Sequence, residues 1–214
     1  MFFLVYPLTV PTDQMPTHSL IFDTETTGLP RDKNMPANLE AKNWPDLVSL
    51  SWKVYEDGAC KSTNSFIIQP DGWIIPQEAT RIHGISQEAA MAGVPLSKAM
   101  DAFCKDLAIC SVVIAHNLSF DKQVVLNALR WRLGKKTVEW SPLADVCTGI
   151  LSTNELKLQF SGRNTSGSYK MPSLKELYRA TLQKEDPPGA HDSLRDVLVL
   201  EEIIRLRWPF LFTR

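Results

Sequence analysis

Long hydrophobic runs are missing from this 214-residue chain. No stretch approaches the roughly 18 apolar residues of a membrane-spanning helix, so no membrane partner is expected. A charge excess is missing too, since 23 Lys and Arg stand against 24 Asp and Glu, a net charge of −1. Domains that coat nucleic-acid backbones tend to be basic, and this balance argues against them. Cysteine is sparse. Cys60, Cys104, Cys110 and Cys147 are spaced too widely for a zinc pattern or a compact disulfide framework. Buried free thiols in a reducing, intracellular compartment are the expectation. Internal repeats and low-complexity tracts are absent. Met1–Val10 is apolar but has no positive leading segment and contains Pro7. A strand or packed arm is expected there rather than a signal peptide.

What is present suits one globular domain over 1–214, with its core at about 17–208. Hydrophobic residues make up 44% and charged residues 22%, which is enough to bury a core and excludes a disordered chain. Ser19–Thr24 reads as a buried strand, and Leu47–Tyr55 alternates as a second. Glu56-Asp57-Gly58 marks a turn, and Ser65–Gln69 offers a third strand. Between the first two strands, residues 30–46 carry Pro30, Pro36 and Pro45 and predict an insertion loop. Helical spacing follows over Pro95–Ile109, a buried strand over Ser111–Ala115 and a helix over Asp121–Leu133. A short strand is expected within Val138–Val146. Residues 157–172 predict a flexible basic loop. Leu174–Leu182 reads as a helix capped by Ser173, and Asp192–Arg207 as a last helix capped by Asp192 or Ser193. The fold class is therefore α/β. It has a mixed sheet of three antiparallel early strands followed by parallel ones, with helices on both faces.

Three acidic motifs carry chemistry. In Phe22-Asp23-Thr24-Glu25-Thr26-Thr27-Gly28, Asp23 and Glu25 lie two apart on a strand and point to one face. Two carboxylates so close repel unless a cation lies between them, and oxygen ligands suit hard ions such as Mg²⁺. Taken alone, the pair equally suits an exposed acidic strand end. In His116-Asn117-Leu118-Ser119-Phe120-Asp121, the acid stands at a helix start, where the helix dipole alone favours it. In His191-Asp192-Ser193-Leu194-Arg195-Asp196, a loop histidine precedes a helical carboxylate.

Together, Asp, Glu, Asp and His-x4-Asp in this order resemble the DnaQ-like 3′→5′ exonucleases of the DEDDh subclass. That family includes the proofreading epsilon subunit of DNA polymerase III and the three-prime repair exonucleases. The resemblance runs from about Ser19 to Leu206 and takes in Ala79-Thr80-Arg81-Ile82-His83-Gly84-Ile85. It implies an RNase H-like domain that removes nucleotides from DNA 3′ ends, with RNA as the alternative substrate. It implies that Asp23, Glu25, Asp121 and Asp196 hold two Mg²⁺ or Mn²⁺ ions, and that His191 is the general base. Two ions about 3.5–4 Å apart can activate water and neutralise a leaving oxygen. A histidine of ordinary pKa about 6.5 can take the water's proton near neutral pH. The resemblance also nominates Thr26, Thr27 and Leu29, with Ile82 and His83 opposite, as the seat of the terminal nucleotide.

Other features stay open at this level. Residues 30–46 suit a substrate-facing flap or a plain surface insertion. Arg130, Arg132, Lys135 and Lys136 surround Trp131, a pattern that suits single-strand binding as well as a solvated helix end. His116 is expected to hydrogen-bond locally and His18 to be exposed. The apolar tail Trp208–Phe212 is expected to close over the core, with contact to a polymerase or a second copy as the alternative. A non-catalytic nucleic-acid or polymerase-binding module is the rival reading of the whole chain.

Overall fold

The computed structural model describes residues 18–137, 140–160, 168–185 and 191–212. Its first strand, β1 (His18–Thr26), is apolar on both faces because both are covered. Leu20 and Phe22 face one helical layer, and Ile21 faces the other. β2 (Leu47–Glu56) pairs antiparallel with β1, placing Trp52 opposite Phe22. β3 (Ala59–Ile67) pairs antiparallel with β2 after the Asp57-Gly58 turn. β4 (Val112–Ala115) lies parallel to β1 on its other side, and β5 (Ala144–Cys147) lies parallel to β4. The order is β3-β2-β1-β4-β5, with β1 at the centre. This is the mixed sheet that the sequence predicts.

The helices divide between the faces. α1 (Gln77–His83) and α2 (Gln87–Met91) are short and follow β3. α3 (Leu96–Ile109) buries Ala99, Met100, Phe103 and Leu107, the stripe expected of a 3.6-residue period. Phe103 packs with its ring centroid 5.3 Å from both Phe22 and Trp52. α4 (Leu118–Asn127) packs on the same face and runs into a π-helical turn over Ala128–Arg132. α5 (Thr148–Leu156) follows β5. α6 (Leu174–Leu182) and α7 (Ser193–Arg207) cover the opposite face with Leu177, Val197, Leu200 and Ile204. The caps match the sequence reading. Ser173 and Glu176 form a reciprocal capping box, and the Asp192 side chain accepts from the Leu194 and Arg195 amides.

Several expectations are revised. The third strand begins at Ala59 and ends at Ile67, earlier than Ser65–Gln69. α1, α2 and α5 are additional, and the second long helix starts at Leu118 rather than Asp121. The four thiols are free, but only Cys110 is buried; Cys104 and Cys147 are half-buried and Cys60 is exposed. His18 is only partly exposed, with Nε2 3.6 Å from Glu56. The tail, by contrast, closes over the core as expected: Trp208 and Phe212 are buried, and the Phe212 ring centroid lies 4.4 Å from that of Tyr55. Residues 1–17, and with them the expected arm, lie outside the described residues, as do residues 161–167 of the basic loop. Among the described residues, no helix is long and apolar enough to cross a membrane.

Candidate functional site

The carboxyl end of β1 organises the site. Asp23 and Glu25 share the face toward α7, as their spacing requires. Their partners across the antiparallel ladder are Ser51 and Ser49. These side chains are small, and the N-terminus of α7 settles on them. Ser193 Oγ lies 2.8 Å from both Ser49 Oγ and Ser51 Oγ, and Ser51 Oγ donates to Ser65 Oγ at 2.9 Å. That docking carries Asp196, in the first turn of α7, to the strand pair. One ligand oxygen from each of Asp23, Glu25 and Asp196 falls within 4.8 Å of the others. The β1–β2 register shifts between Glu25 and Thr26, a bulge of the kind that re-aims side chains beside functional sites.

Asp121 arrives from the other side. The β1–β4 ladder ends at Ile21, and beyond it the Thr24 amide donates to Asp121 Oδ1 at 3.2 Å. Thr24 Oγ1 donates to the same oxygen at 2.6 Å. Asp121 is thus fixed to the strand between the two acids, although it is not one of the three closest carboxylates.

The electrostatics show how much anionic charge is concentrated here. Burial, then the charges of Asp121, Asp196 and Glu25, raise Asp23 well above the usual carboxylate range. Burial and the Asp196 and Asp121 charges push Glu25 up to about 8. Burial lifts Asp121 to about 7 despite the two Thr24 hydrogen bonds, and lifts Asp196 to about 6 despite the His191 amide. Buried carboxylates that oppose one another's ionisation form an oxygen-only, multiply anionic donor set. Its chemistry fits a hard divalent cation.

His191 stands exposed at the mouth of this cluster, and its amide donates to Asp196 Oδ2 at 3.3 Å. Its backbone is left-handed, with φ 67°. His83 is buried. Its Nδ1 accepts from the Ile85 amide at 3.1 Å, so Nε2 carries the proton in the neutral ring. That Nε2 is buried from solvent and faces the Thr26 carbonyl without closing a well-formed hydrogen bond to it. Burial and the nearby His191 lower the His83 pKa, while the Thr26 carbonyl opposes the shift. Leu29 and Ile82 are 83% and 58% exposed, unusual for large apolar side chains.

Thr26 and Thr27 are less available than the sequence suggests. Thr26 Oγ1 donates to the Gly28 carbonyl at 2.7 Å, the Thr27 amide donates to the Asp46 carbonyl at 3.0 Å, and the Asp46 amide donates to Thr27 Oγ1 at 2.9 Å. These bonds shape the turn and occupy groups that a substrate would otherwise meet.

The stretch 30–46 packs on α4. The Ala37 amide donates to Gln123 Oε1 at 2.7 Å, and Trp44 is buried against Phe120 with ring centroids 5.9 Å apart. Between this stretch and the start of α4 lies a 610 Å³ cavity lined by Leu29, Arg31, Lys33, Trp44, Asn117 and Phe120. The sequence reading missed this cavity. The available signal was Arg31 and Lys33 directly after the first acidic motif. His116 behaves as expected: Nδ1 lies 3.0 Å from Thr148 Oγ1 and Nε2 2.9 Å from the Pro172 carbonyl, tying β4 to α5 and α6.

The family model RNase T, described as an exonuclease, matches residues 20–204. The chain belongs to this exonuclease family. The match spans both ends of the acid cluster and agrees with the DnaQ-like resemblance of the motifs. A search of curated protein sequences finds no significant match. Among solved structures, the exonuclease fold recurs in the zinc-bound complex of Escherichia coli exonuclease I with single-stranded DNA. The TM-score is 0.65 at 17% identity, covering 92% of this chain and 42% of that one. A complex of the same E. coli enzyme with a dT13 oligonucleotide gives 0.65 at 18% identity over the same shares. Exonuclease X in complex with 5′ overhanging duplex DNA gives 0.54 at 22% identity, covering 88% of this chain and 92% of that one. The chain therefore spans under half the length of the exonuclease I structures and nearly all of the exonuclease X structure.

Proposed function

We propose that this exonuclease hydrolyses DNA from the 3′ end, releasing nucleoside 5′-monophosphates, and that the chain acts as one catalytic domain with its core at about 17–208. The observation that carries the reading is the convergence of Asp23, Glu25 and Asp196 within 4.8 Å in a member of an exonuclease family. In this reading Asp23, Glu25, Asp121 and Asp196 hold two Mg²⁺ or Mn²⁺ ions. When bound, such ions supply Lewis acidity, lowering the pKa of water and neutralising charge on the leaving oxygen.

The protein's own groups do the rest. His191, exposed on its loop, takes the proton from the attacking water. The water oxygen forms a bond to phosphorus, and the bond from phosphorus to the 3′ oxygen of the penultimate nucleotide breaks. That oxygen takes a proton from solvent and becomes the new 3′-hydroxyl. Leu29 and Ile82 offer apolar surface to the terminal base. His83, buried with its Nε2 toward the Thr26 carbonyl, backs the turn that meets the terminal sugar. Thr26 and Thr27 hold the turn that seats it. The buried acids are fixed before substrate arrives, so little reorganisation remains for the reaction itself.

The test is digestion of 5′-labelled single-stranded DNA, duplex DNA and RNA, with Mg²⁺ and with a chelator. The expected result is a ladder shortened from the 3′ end only with the cation, abolished by Asp23→Ala and Asp196→Asn in proteins that melt normally. His191→Ala should reduce turnover far more than binding. Wild-type digestion by either acid variant overturns the site. RNA is the second substrate class because the matching family model takes its name from a ribonuclease. Faster digestion of RNA than of DNA would reassign the substrate.

A further inference from the structure

On the α3 side of the sheet, a 490 Å³ cavity opens between the segment after β3, the start of α3 and the π-helical turn. Its lining includes Gln69, Asp71, Trp73, Leu96, Trp131 and Arg132. The two indoles are held firmly. Trp131 Nε1 donates to the Ala37 carbonyl at 2.6 Å, yet 37% of the residue stays exposed. Trp73 is half-buried and packs against both the main core and the small cluster of Val48, Ile75, Ala79 and Ala90. Fixed aromatic rings facing an open cavity are stacking platforms that lose little entropy on binding.

The π turn supplies the charge. The Leu133 amide reaches back to the Ala128 carbonyl at 3.0 Å, closing the wide turn that carries Trp131 and Arg132. Such turns are rare and recur at functional sites. Arg130 stacks over Trp131, its guanidinium carbon 5.2 Å from the ring centroid. It also donates to the Lys136 carbonyl at 2.8 Å, curling the exposed Lys135 and Lys136 back toward the indole. Cations around a platform recognise phosphates strung between bases. Asp71 is the one carboxylate in the lining and repels phosphate, so bases rather than backbone belong at its end, where it can accept from an exocyclic amine.

Arg132 also ties the wall of this cavity to the catalytic turn. Arg132 forks onto Asp46, with Nε to Oδ1 at 2.6 Å and Nη2 to Oδ2 at 2.7 Å. Asp46 in turn pairs with Thr27, two residues after Glu25.

We propose that this cavity is a second subsite for single-stranded nucleic acid. Upstream bases stack on Trp73 and Trp131, Arg130, Lys135 and Lys136 take their phosphates, and the 3′ end lies over the acid cluster. The proposal rests on the exonuclease reading and adds to it a grip on substrate beyond the terminal nucleotide.

The test compares anisotropy titrations of labelled thymidine oligonucleotides about three and about twelve residues long, in Ca²⁺, alongside their digestion rates in Mg²⁺. The wild type should bind the longer strand at least about tenfold more tightly, with a steeper salt dependence. In Trp73→Ala, and in the double charge reversal Lys135→Glu with Lys136→Glu, the long-over-short affinity ratio should collapse toward one. The charge reversal alters only exposed side chains and decides the matter if the tryptophan variant unfolds. Equal affinity for both lengths in the wild type, or a full ratio kept by the charge reversal, overturns the subsite. A partner of another class, such as a proline-rich peptide between the indoles, would give that same overturning result. Digestion separates the two claims: failure to cut either strand sinks the exonuclease reading, while the affinity ratio still reports on the cavity.

Discussion

Thr24 hands both its amide and its hydroxyl to a single oxygen of Asp121, at 3.2 and 2.6 Å. A residue between two acids on one strand thus fixes a third acid on a helix 97 positions later. Both bonds favour the ionised carboxylate and oppose its burial. Thr24→Val keeps the β-branched shape and removes the hydroxyl. It should weaken divalent-cation binding by about tenfold, the usual effect of losing a hydrogen bond to a ligand. The pH at which the cation binds should move upward, because Asp121 would ionise later. Titration calorimetry with Mn²⁺ at several pH values checks both.

The acid cluster gives the cation-free protein an unusual pH dependence. Glu25, Asp121 and Asp196 lie at about 8, 7 and 6 in the fold, against roughly 4 in an unfolded chain. The folded state therefore holds more protons than the unfolded one between about pH 4 and pH 8. Stability from these groups is complete below about pH 4 and is lost as pH rises through the folded values. In chelator, Glu25→Gln should raise stability at pH 8 by more than about 1 kcal/mol and change little at pH 4. Added Mg²⁺ should stabilise the wild type most at the alkaline end, where the site is ionised. Thermal melts across this range would show it. A wild type more stable than Glu25→Gln at pH 8 in chelator contradicts the charge balance.

Ser193 is the hub of a buried hydroxyl row with Ser49 and Ser51. Ser193→Ala leaves Ser49 Oγ without that partner and should cost about 1–3 kcal/mol. For a chain of this size, each kcal/mol lowers the melting temperature by about 2–4 °C. Because the row seats the turn that carries Asp196, activity measured well below the melting point should fall too. A loss of stability with full activity would mean that the turn holds its place without the row.

His116 bridges Thr148 and the Pro172 carbonyl, and its burial lowers its pKa. Stability from this group is present above the unfolded value of about 6.5 and declines as pH falls toward the folded one. His116→Ala should loosen the junction between the basic loop and α6. Limited proteolysis should then cut faster near Met171, while chain regions around β1 keep wild-type protection.

The central strands were legible because burial on both faces leaves an apolar run, as in Ser19–Thr24 and Ser111–Ala115. Asp23 and Glu25 were legible because the two-residue period of a strand admits one arrangement. β3 extends beyond its sequence signal because it is an edge strand whose Lys61–Asn64 stretch is polar. α5 carries no helical signal because Gly149, Ser152 and two threonines are poor helix formers. It holds through tertiary contacts: a Cβ at Gly149 would come within 2.9 Å of the Met171 sulfur. The serine row could not be foreseen, since serines at 49, 51 and 193 carry no signal until register and docking are known. Neither could the cavity at Trp73 and Trp131, whose walls come from three separated segments.

The left-handed backbone at His191 favours glycine, whereas the proposed general base requires an imidazole there. An L-residue there costs roughly 1–2 kcal/mol that glycine avoids, and glycine's greater freedom in the unfolded chain returns only part of the difference. His191→Gly should therefore melt no lower than the wild type while losing most of its turnover. Random libraries sorted for thermal survival alone should accumulate glycine at this position and yield robust, inactive proteins. Libraries sorted for digestion should restore histidine and accept the lower melting point.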